Sequence, residues 1–128
     1  MTIKSMNHFT VLSSDLERSK AFYVNVLGLT EGYRPPFAFP GAWLYVGDYA
    51  ILHIMAGKPM PVHAAGVIDH MAFTATNLQV VADALKRHEI PYELKRLPGS
   101  NSWQLFCYDP DGAKVELDFA ADEPEPVS

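Results

Sequence analysis

Two histidines occupy equivalent places in an internal repeat of the sequence. Residues 7–16 are echoed by residues 69–78 at a constant offset, and the offset pairs His8 with His70. Imidazole is the side chain that most often binds metals in proteins. A histidine placed twice at the same position of a repeat predicts one metal ion held between two related halves of the chain.

Each copy of the repeat closes with a second residue that can bind a metal. His53 closes the first copy and Glu116 closes the second. Glu116 interrupts an apolar stretch, where a carboxylate is costly unless it is paired or coordinates a cation. We therefore predict His8, His70 and Glu116 as metal ligands. For His53 three interpretations stay open: a fourth ligand, a hydrogen-bonding residue of the active site, or simply part of the cavity wall.

Other residues that could do chemistry carry weaker signals. Tyr45, Tyr49 and Asp118 are candidates for a general acid or base, and the sequence offers no geometry with which to rank them. Cys107 lies in an apolar stretch without a basic neighbour, which predicts packing rather than nucleophilic chemistry. Four aromatic residues line a pocket or pack in the core: Phe37, Phe39, Trp43 and Trp103.

The hydrophobic pattern predicts the elements that must position these residues. In the first copy it predicts a strand over 3–12, a helix over 15–27 and strands over 29–33, 42–46 and 50–55. In the second copy it predicts a strand over 67–75, a helix over 77–88 and strands over 91–97, 103–108 and 114–119. Because side chains alternate across a strand, all four candidate ligands fall on the face opposite the helices. The order predicts an α+β fold of two tandem βαβββ modules, which pair because neither buries its own face alone.

Local signals mark where these elements begin and end. Ser14 and Glu17 form a capping box, and Gly28 suits the left-handed residue that ends a helix. Asn77 is an N-cap residue for the second helix. Turns are predicted at 47–48 and 109–112, and a proline-rich loop at 34–41.

The division of the chain follows from these elements. We predict one domain over 1–128, with module 1 at about 3–56 and module 2 at about 67–119. A linker over 57–66 lies at the repeat boundary. The acidic segment 120–128 is predicted to be a frayed end without chemistry.

Composition limits the classes of function. The chain has 128 residues, of which 48% are hydrophobic and 20% charged, which suits a globular domain with a core. A net charge of −5 without a basic stripe argues against nucleic-acid binding. The single cysteine fits a reducing cytoplasm, and no apolar segment has the length of a signal peptide or a membrane span. We therefore expect a cytoplasmic protein with no membrane or nucleic-acid partner.

The sequence resembles the vicinal oxygen chelate superfamily, which includes glyoxalase I, extradiol ring-cleaving dioxygenases, methylmalonyl-CoA epimerase, fosfomycin resistance proteins and bleomycin-binding proteins. Residues 7–11, 22–29, 69–73 and 108–117 carry the resemblance, which extends over nearly all of 3–119. The resemblance implies paired βαβββ modules that form a curved cup of mixed sheet. It also implies a divalent metal, Fe, Mn, Ni, Co or Zn, and a homodimer.

Position by position, the resemblance supports some activities better than others. His8, His70 and Glu116 match the metal triad of the dioxygenases and fosfomycin enzymes, while His53 stands where glyoxalase I has a glutamate. Phe106 replaces a tyrosine of the fosfomycin enzymes, and no arginine follows Glu116. Residues 9–14 contain no arginine, which argues against a glutathione substrate.

These residues lead to two expectations of function. The first is a glyoxalase-like or extradiol dioxygenase-like enzyme whose metal chelates vicinal oxygens of a small molecule and stabilises an oxyanion or enolate. Three protein ligands leave three octahedral positions, as in non-haem Fe(II) oxygenases, whereas a fourth from His53 would favour isomerisation, epimerisation or lyase-type addition. The alternative is a metal-free protein of the bleomycin-resistance type that sequesters a drug or metabolite.

Overall fold

The two halves of the repeat fold as two βαβββ modules in the computed structural model, which describes residues 2–128. They form two compact units, residues 2–62 and 63–128, and the boundary falls inside the predicted linker. Each unit has a four-stranded mixed sheet, so the predicted α+β class is confirmed. The single domain and the cup stay predictions. No helix within residues 2–128 is long and apolar enough to cross a bilayer.

The first unit is a sheet with strand order β1-β4-β3-β2, in which β1 runs parallel to β4 and the other pairs are antiparallel. Its elements are β1 (Phe9–Ser13), α1 (Leu16–Ala21), β2 (Thr30–Gly32), β3 (Gly41–Val46) and β4 (Tyr49–Ala56). A π-helical segment, Phe22–Val26, continues α1, and the Leu27 amide donates to the Phe22 carbonyl 3.2 Å away. Gly28 then ends the helix at φ +86°, as predicted.

Two predictions for the first unit are wrong in detail. The strand predicted over 3–12 begins only at Phe9, because β4 pairs with β1 from Leu52 onward and leaves Ile3 and Met6 exposed. His8 therefore lies just before the strand. The helix is capped by Asp15 rather than Ser14, since the Asp15 side chain accepts from the Arg18 amide at 3.2 Å.

The second unit repeats the same order and pairing, with strand order β5-β8-β7-β6 and β5 parallel to β8. Its elements are β5 (Met71–Thr74), α2 (Leu78–Arg87), β6 (Glu93–Arg96), β7 (Trp103–Tyr108) and β8 (Lys114–Phe119). The bounds of β7 and β8 match the prediction. Those of β5 and β6 are shorter than predicted, and Val67 and Ile68 are exposed ahead of β5. In the predicted turn, Asp109 Oδ1 accepts two backbone amides at 2.9 Å, and Gly112 has φ +93°.

The acidic tail is anchored rather than frayed, so that prediction is wrong. Asn77 stands at the N-cap of α2 with φ +65°, but its side chain makes no capping hydrogen bond. Glu123 caps the helix instead, accepting from the Leu78 amide at 2.7 Å and from the Asn77 amide at 3.2 Å. Gln79 holds Val127 through two hydrogen bonds.

Strand alternation is observed as predicted in the two strands that carry His53 and Glu116. In β4, Leu52, Ile54 and Ala56 are buried while the intervening residues are half-buried. In β8, Val115, Leu117 and Phe119 are the buried apolar residues, and the intervening Glu116 is buried as well. The same core contains Cys107, where burial raises the pKa of the thiol to about 12. Cys107 is thus a packing residue, as predicted.

Candidate functional site

The second unit brings His70 and Glu116 together. His70 directly precedes β5, and Glu116 lies in the middle of β8, beside Ala72 in the parallel pairing. His70 Nε2 lies 2.9 Å from Glu116 Oε1. Glu116 is buried although it points to the more polar face of β8, with 7% of its surface exposed. A buried carboxylate of this kind needs a charged or hydrogen-bonding partner, and His70 is one.

The other ring nitrogen of His70 is held by the residue before it. His70 Nδ1 lies 2.7 Å from Asp69 Oδ2, and a carboxylate oxygen can only accept, so Nδ1 carries the proton. The hydrogen bond to His70, and then the charge of Lys114, lower the pKa of Asp69. The arrangement fixes the ring orientation and directs Nε2 toward Glu116, as outer-shell carboxylates do for metal-binding histidines.

Two further polar residues surround Glu116. Gln104 lies on β7, where it pairs with Asp118 of β8, and its Nε2 donates to Glu116 Oε2 at 3.2 Å. Asp118 Oδ1 is buried and has no hydrogen-bond partner within residues 2–128. Burial, the hydrogen bond shared with Glu116 and the charge of Glu116 raise the pKa of Asp118 to about 6, against the opposing charge of His70. The face of β8 thus concentrates carboxylate oxygens beside one imidazole.

In the first unit, His8 and His53 form a stack with Trp43. The ring centroids of His8 and His53 are 3.8 Å apart at an interplanar angle of 15°, and those of His53 and Trp43 are 3.9 Å apart at 9°. Burial, and then the neighbouring His8, lower the pKa of His53. His53 is therefore held as a neutral, flat ring between two others.

His8 is oriented in the same way as its counterpart in the second unit. Its Nδ1 lies 2.7 Å from Asn7 Oδ1, the side-chain oxygen of the preceding residue. A carbonyl oxygen accepts, so Nδ1 is the donor. Asn7 and Asp69 thus play matching parts at the start of each copy, which sequence reasoning missed although both precede a repeated histidine.

The pairing register shows that His53 and Glu116 stand at equivalent positions. His53 lies opposite Thr10, two residues after His8, and Glu116 lies opposite Ala72, two residues after His70. On the other side, His53 faces Trp43 and Glu116 faces Phe106. His53 and Glu116, which close the two copies of the repeat in the sequence, therefore occupy equivalent positions in the two sheets.

A pocket of about 200 Å³ opens beside the stack in the first unit. Of the four aromatic residues singled out in the sequence, Phe37, Phe39 and Trp43 line it, while Trp103 is buried in the second unit. Arg34 also lines the pocket and went unrecognised in the sequence, where it stood only as the first residue of a proline-rich loop. Thr10, Ile54 and Met55 complete the wall next to the two histidines.

The two tyrosines proposed as acid or base candidates hold backbone groups. The Tyr45 hydroxyl donates to the Tyr33 carbonyl at 2.6 Å, and the Tyr49 hydroxyl donates to the Met6 carbonyl at 2.9 Å. Each hydroxyl therefore stabilises the local backbone through a hydrogen bond. Within residues 2–128 no group of three or more His, Cys, Asp or Glu side chains is close enough to hold a metal ion. The three-ligand set therefore stays a prediction, and two of its members, His70 and Glu116, are in contact within the second unit.

Comparison with known proteins identifies relatives over nearly the whole chain. The sequence model of the Glyoxalase/Bleomycin resistance protein/Dioxygenase superfamily matches residues 5–117. Glyoxylase I 4 of Arabidopsis thaliana is 32% identical, covering 90% of this chain and 70% of that protein. The uncharacterized protein YwkD of Bacillus subtilis is 30% identical over 91% of this chain and 98% of its own length. A lactoylglutathione lyase of Salmonella typhimurium is 27% identical over 90% of this chain and 92% of its own.

Solved structures share the fold. A glyoxylase/bleomycin resistance protein/dioxygenase domain from Frankia sp. EAN1pec superposes with a TM-score of 0.77 at 17% identity, over 96% of both chains. A mutant of FosX, a fosfomycin resistance protein from Listeria monocytogenes, superposes with a TM-score of 0.75 at 17% identity, over 93% of this chain and 94% of its own. That protein is complexed with Mn(II) and 1S,2S-dihydroxypropylphosphonic acid.

Proposed function

The chain belongs to the Glyoxalase/Bleomycin resistance protein/Dioxygenase superfamily, and from this premise we propose a metal-dependent enzyme that acts on a small molecule with vicinal oxygens. The activity is glyoxalase-like or extradiol dioxygenase-like. The observation that carries the proposal is the distance of 2.9 Å between His70 Nε2 and Glu116 Oε1. Two ligand atoms at a right angle, each about 2.1 Å from one ion, lie about 3 Å apart.

The residues around this pair suit a divalent cation. Glu116 is buried, and Asp69 directs His70 Nε2 toward it. Asp118 adds a buried, unpartnered oxygen on the same face of β8. Nitrogen and oxygen donors of this kind accept Fe, Mn, Co, Ni or Zn. His70 and Glu116 would hold the ion, and His8 stays the third ligand predicted from the sequence. The ion would supply a Lewis acid for a developing oxyanion or enolate.

We place His53 outside the ligand set. A metal lies close to the plane of each imidazole that binds it, but the rings of His8 and His53 are nearly parallel and 3.8 Å apart. Their in-plane lone pairs therefore run side by side rather than converge on one ion. Three protein ligands would leave three positions for substrate and a co-substrate, and this would favour the dioxygenase-like branch over four-ligand proton-transfer chemistry.

The comparisons support a substrate with vicinal oxygens. FosX is complexed with a molecule bearing hydroxyls on neighbouring carbons, together with Mn(II). The lactoylglutathione lyase relative is an enzyme by name, and so is the glutathione transferase FosA of Serratia marcescens, at 28% identity over 90% of this chain and 80% of its own. The resemblance in sequence to these enzymes supports an enzyme rather than a carrier.

Metal binding tests the proposal. Purified protein stripped with EDTA is titrated with Fe(II), Mn(II), Co(II), Ni(II) and Zn(II), and the bound metal and the melting temperature are measured. One of these ions should bind at one equivalent and raise the melting temperature, by an amount set by mass action. His70→Ala should lose this binding, while His88→Ala, an exposed histidine at the end of α2, and His53→Ala should keep it. Full metal occupancy in His70→Ala would contradict the proposal.

The second candidate function is a metal-free protein that sequesters a drug or metabolite. The pocket of about 200 Å³ in the first unit favours it, because the aromatic side chains and Arg34 in its wall can bind an organic molecule directly. The titration above separates the two functions. Binding of none of the five ions, together with saturable binding of a small organic ligand, would establish the carrier.

A further inference from the structure

Arg34 brings a cation into the aromatic pocket. The guanidinium carbon lies 5.0 Å from the ring centroids of both Phe37 and Phe39, and Nη2 donates to the Phe39 carbonyl at 2.8 Å. Among residues 2–128 no carboxylate lies within ion-pair distance of it. A guanidinium has five N–H donors, so most of them are left for a ligand.

A second cation approaches the same aromatic group. Lys58 Nζ lies 4.6 Å from the ring centroid of Phe39. The chain as a whole has a net charge of −5, so Arg34 in the pocket wall and Lys58 beside the Phe39 ring are a local departure from the overall charge. Their field favours an anion over a neutral molecule of the same shape.

Flat rings form much of the pocket wall. Trp43 and His53 are stacked at 3.9 Å, and the Phe37 ring lies 6.3 Å from Trp43 at a tilt of 44°. Phe37 is 45% exposed, so its ring borders the opening of the pocket. Walls of this kind bind planar rings by stacking or edge contacts. Pockets for drug-sized molecules measure about 300–1,000 Å³, so a pocket of about 200 Å³ suits a single ring.

We propose that this pocket binds a small planar ring acid, with the ring against Trp43 and Phe37 and the carboxylate on the free N–H groups of Arg34. The proposal deepens the proposed function, because it names an aromatic or unsaturated cyclic carboxylate as the substrate class of the enzyme. His8 lies in the pocket wall, so a ring held there reaches a proposed metal ligand. The binding itself needs no metal.

Benzoate, its neutral analogue benzamide and the ringless anion acetate test the proposal. Their binding to the full chain is measured by calorimetry in EDTA. Benzoate should bind at least about tenfold more tightly than benzamide, the value of one charge-assisted hydrogen bond. It should also bind more tightly than acetate, which has the carboxylate but no ring to pack against Trp43 and Phe37. Arg34→Met should reduce the preference for benzoate over benzamide to about twofold or less. Arg96→Met removes an arginine that stacks on Trp103 at 3.5 Å in the second unit, and it should leave the preference unchanged.

Several outcomes would overturn the proposal: no saturable binding of benzoate, equal binding of benzoate and benzamide, or a preference that survives in Arg34→Met. Should Arg34→Met lose its near-ultraviolet circular dichroism, the wild-type chain supplies a second measurement. Benzoate should then protect Arg34 from modification by phenylglyoxal, followed by peptide mass spectrometry, whereas benzamide should not. Equal modification with both ligands would count against the site.

The result is separable from that of the metal titration. Benzoate binding in EDTA without any metal binding would refute the proposed metalloenzyme and keep the ring-acid site. Metal binding at His70 without benzoate selectivity would do the reverse.

Discussion

Glu123 should be one of the more important residues for stability, although it lies in a tail that composition marks as disordered. Its carboxylate accepts from the first amides of α2, at 2.7 Å from Leu78 and 3.2 Å from Asn77. The helix has no other side-chain cap at this end, since Asn77 makes no capping hydrogen bond. Glu123→Ala should therefore leave both amides to solvent alone.

The expected loss follows from two contributions. Removing a helix N-cap costs about 1 kcal/mol, and a negative charge at a helix N-terminus contributes about 0.3–1 kcal/mol. Glu123→Ala should thus lower the free energy of unfolding by about 1.5 kcal/mol. With an unfolding entropy of about 2.1 cal/mol/K per residue, this loss lowers the melting temperature of the 128-residue chain by about 6 °C. Glu123→Gln keeps an acceptor oxygen but not the charge, so it should lose about half as much.

Thermal and urea unfolding, followed by circular dichroism in EDTA, measure the effect. Glu125→Ala is the matched control, because Glu125 is an exposed acid two residues further along the same tail. It should change the melting temperature by less than about 1 °C. Equal effects of Glu123→Ala and Glu125→Ala would refute the capping role and would support the frayed tail predicted from the sequence.

Three further predictions concern the two units. Asp69→Ala should weaken metal binding by about 10–100-fold when EDTA-stripped protein is titrated with metal. Asp69→Asn should weaken it less, since an acceptor for His70 Nδ1 remains. Unchanged affinity in Asp69→Ala would show that Asp69 does not support the metal site. At Gly41, a Cβ would overlap the Ile54 carbonyl oxygen, so Gly41→Ala should cost about 1–3 kcal/mol in urea unfolding, whereas Gly66→Ala meets open space and should be neutral. The pKa of Asp118 is about 6 in the folded chain, above its ordinary 3.8. The stability that protonated Asp118 contributes to the metal-free protein is therefore full below about pH 4 and is lost as the pH rises through 6. Asp118→Asn should flatten this decline in the free energy of unfolding, and parallel pH profiles of the two proteins would contradict the prediction.

Much of the fold was predictable because local chemistry and tertiary structure agree. Strands β7 and β8 match their predicted bounds, since buried and polar residues alternate along both and a proline-glycine turn separates them. The prediction overran at the start of β1, where apolar Ile3 and Met6 continue the pattern but have no partner strand. Pairing with a distant strand decides such ends, and the local pattern does not contain it.

The candidate site was predictable only in part, for a similar reason. The repeat singled out His70 and Glu116, and the structure brings them within 2.9 Å. Arg34 and Asn7 escaped notice because their importance comes from contacts with Phe39 and His8, which no spacing rule marks. The cap supplied by Glu123 was unpredictable in the same way, since it comes from 45 residues beyond the helix start at Leu78.

The burial of Cys107 has a practical consequence for spectroscopy. It is the single cysteine of the chain, and its suppressed thiolate should not react with maleimides in the native state. A cysteine introduced on the surface can therefore be labelled selectively without altering the core. Ala38 is exposed between Phe37 and Phe39, so Ala38→Cys is well placed to carry an environment-sensitive dye. The emission of the dye would then report in real time when a ligand binds in the neighbouring pocket.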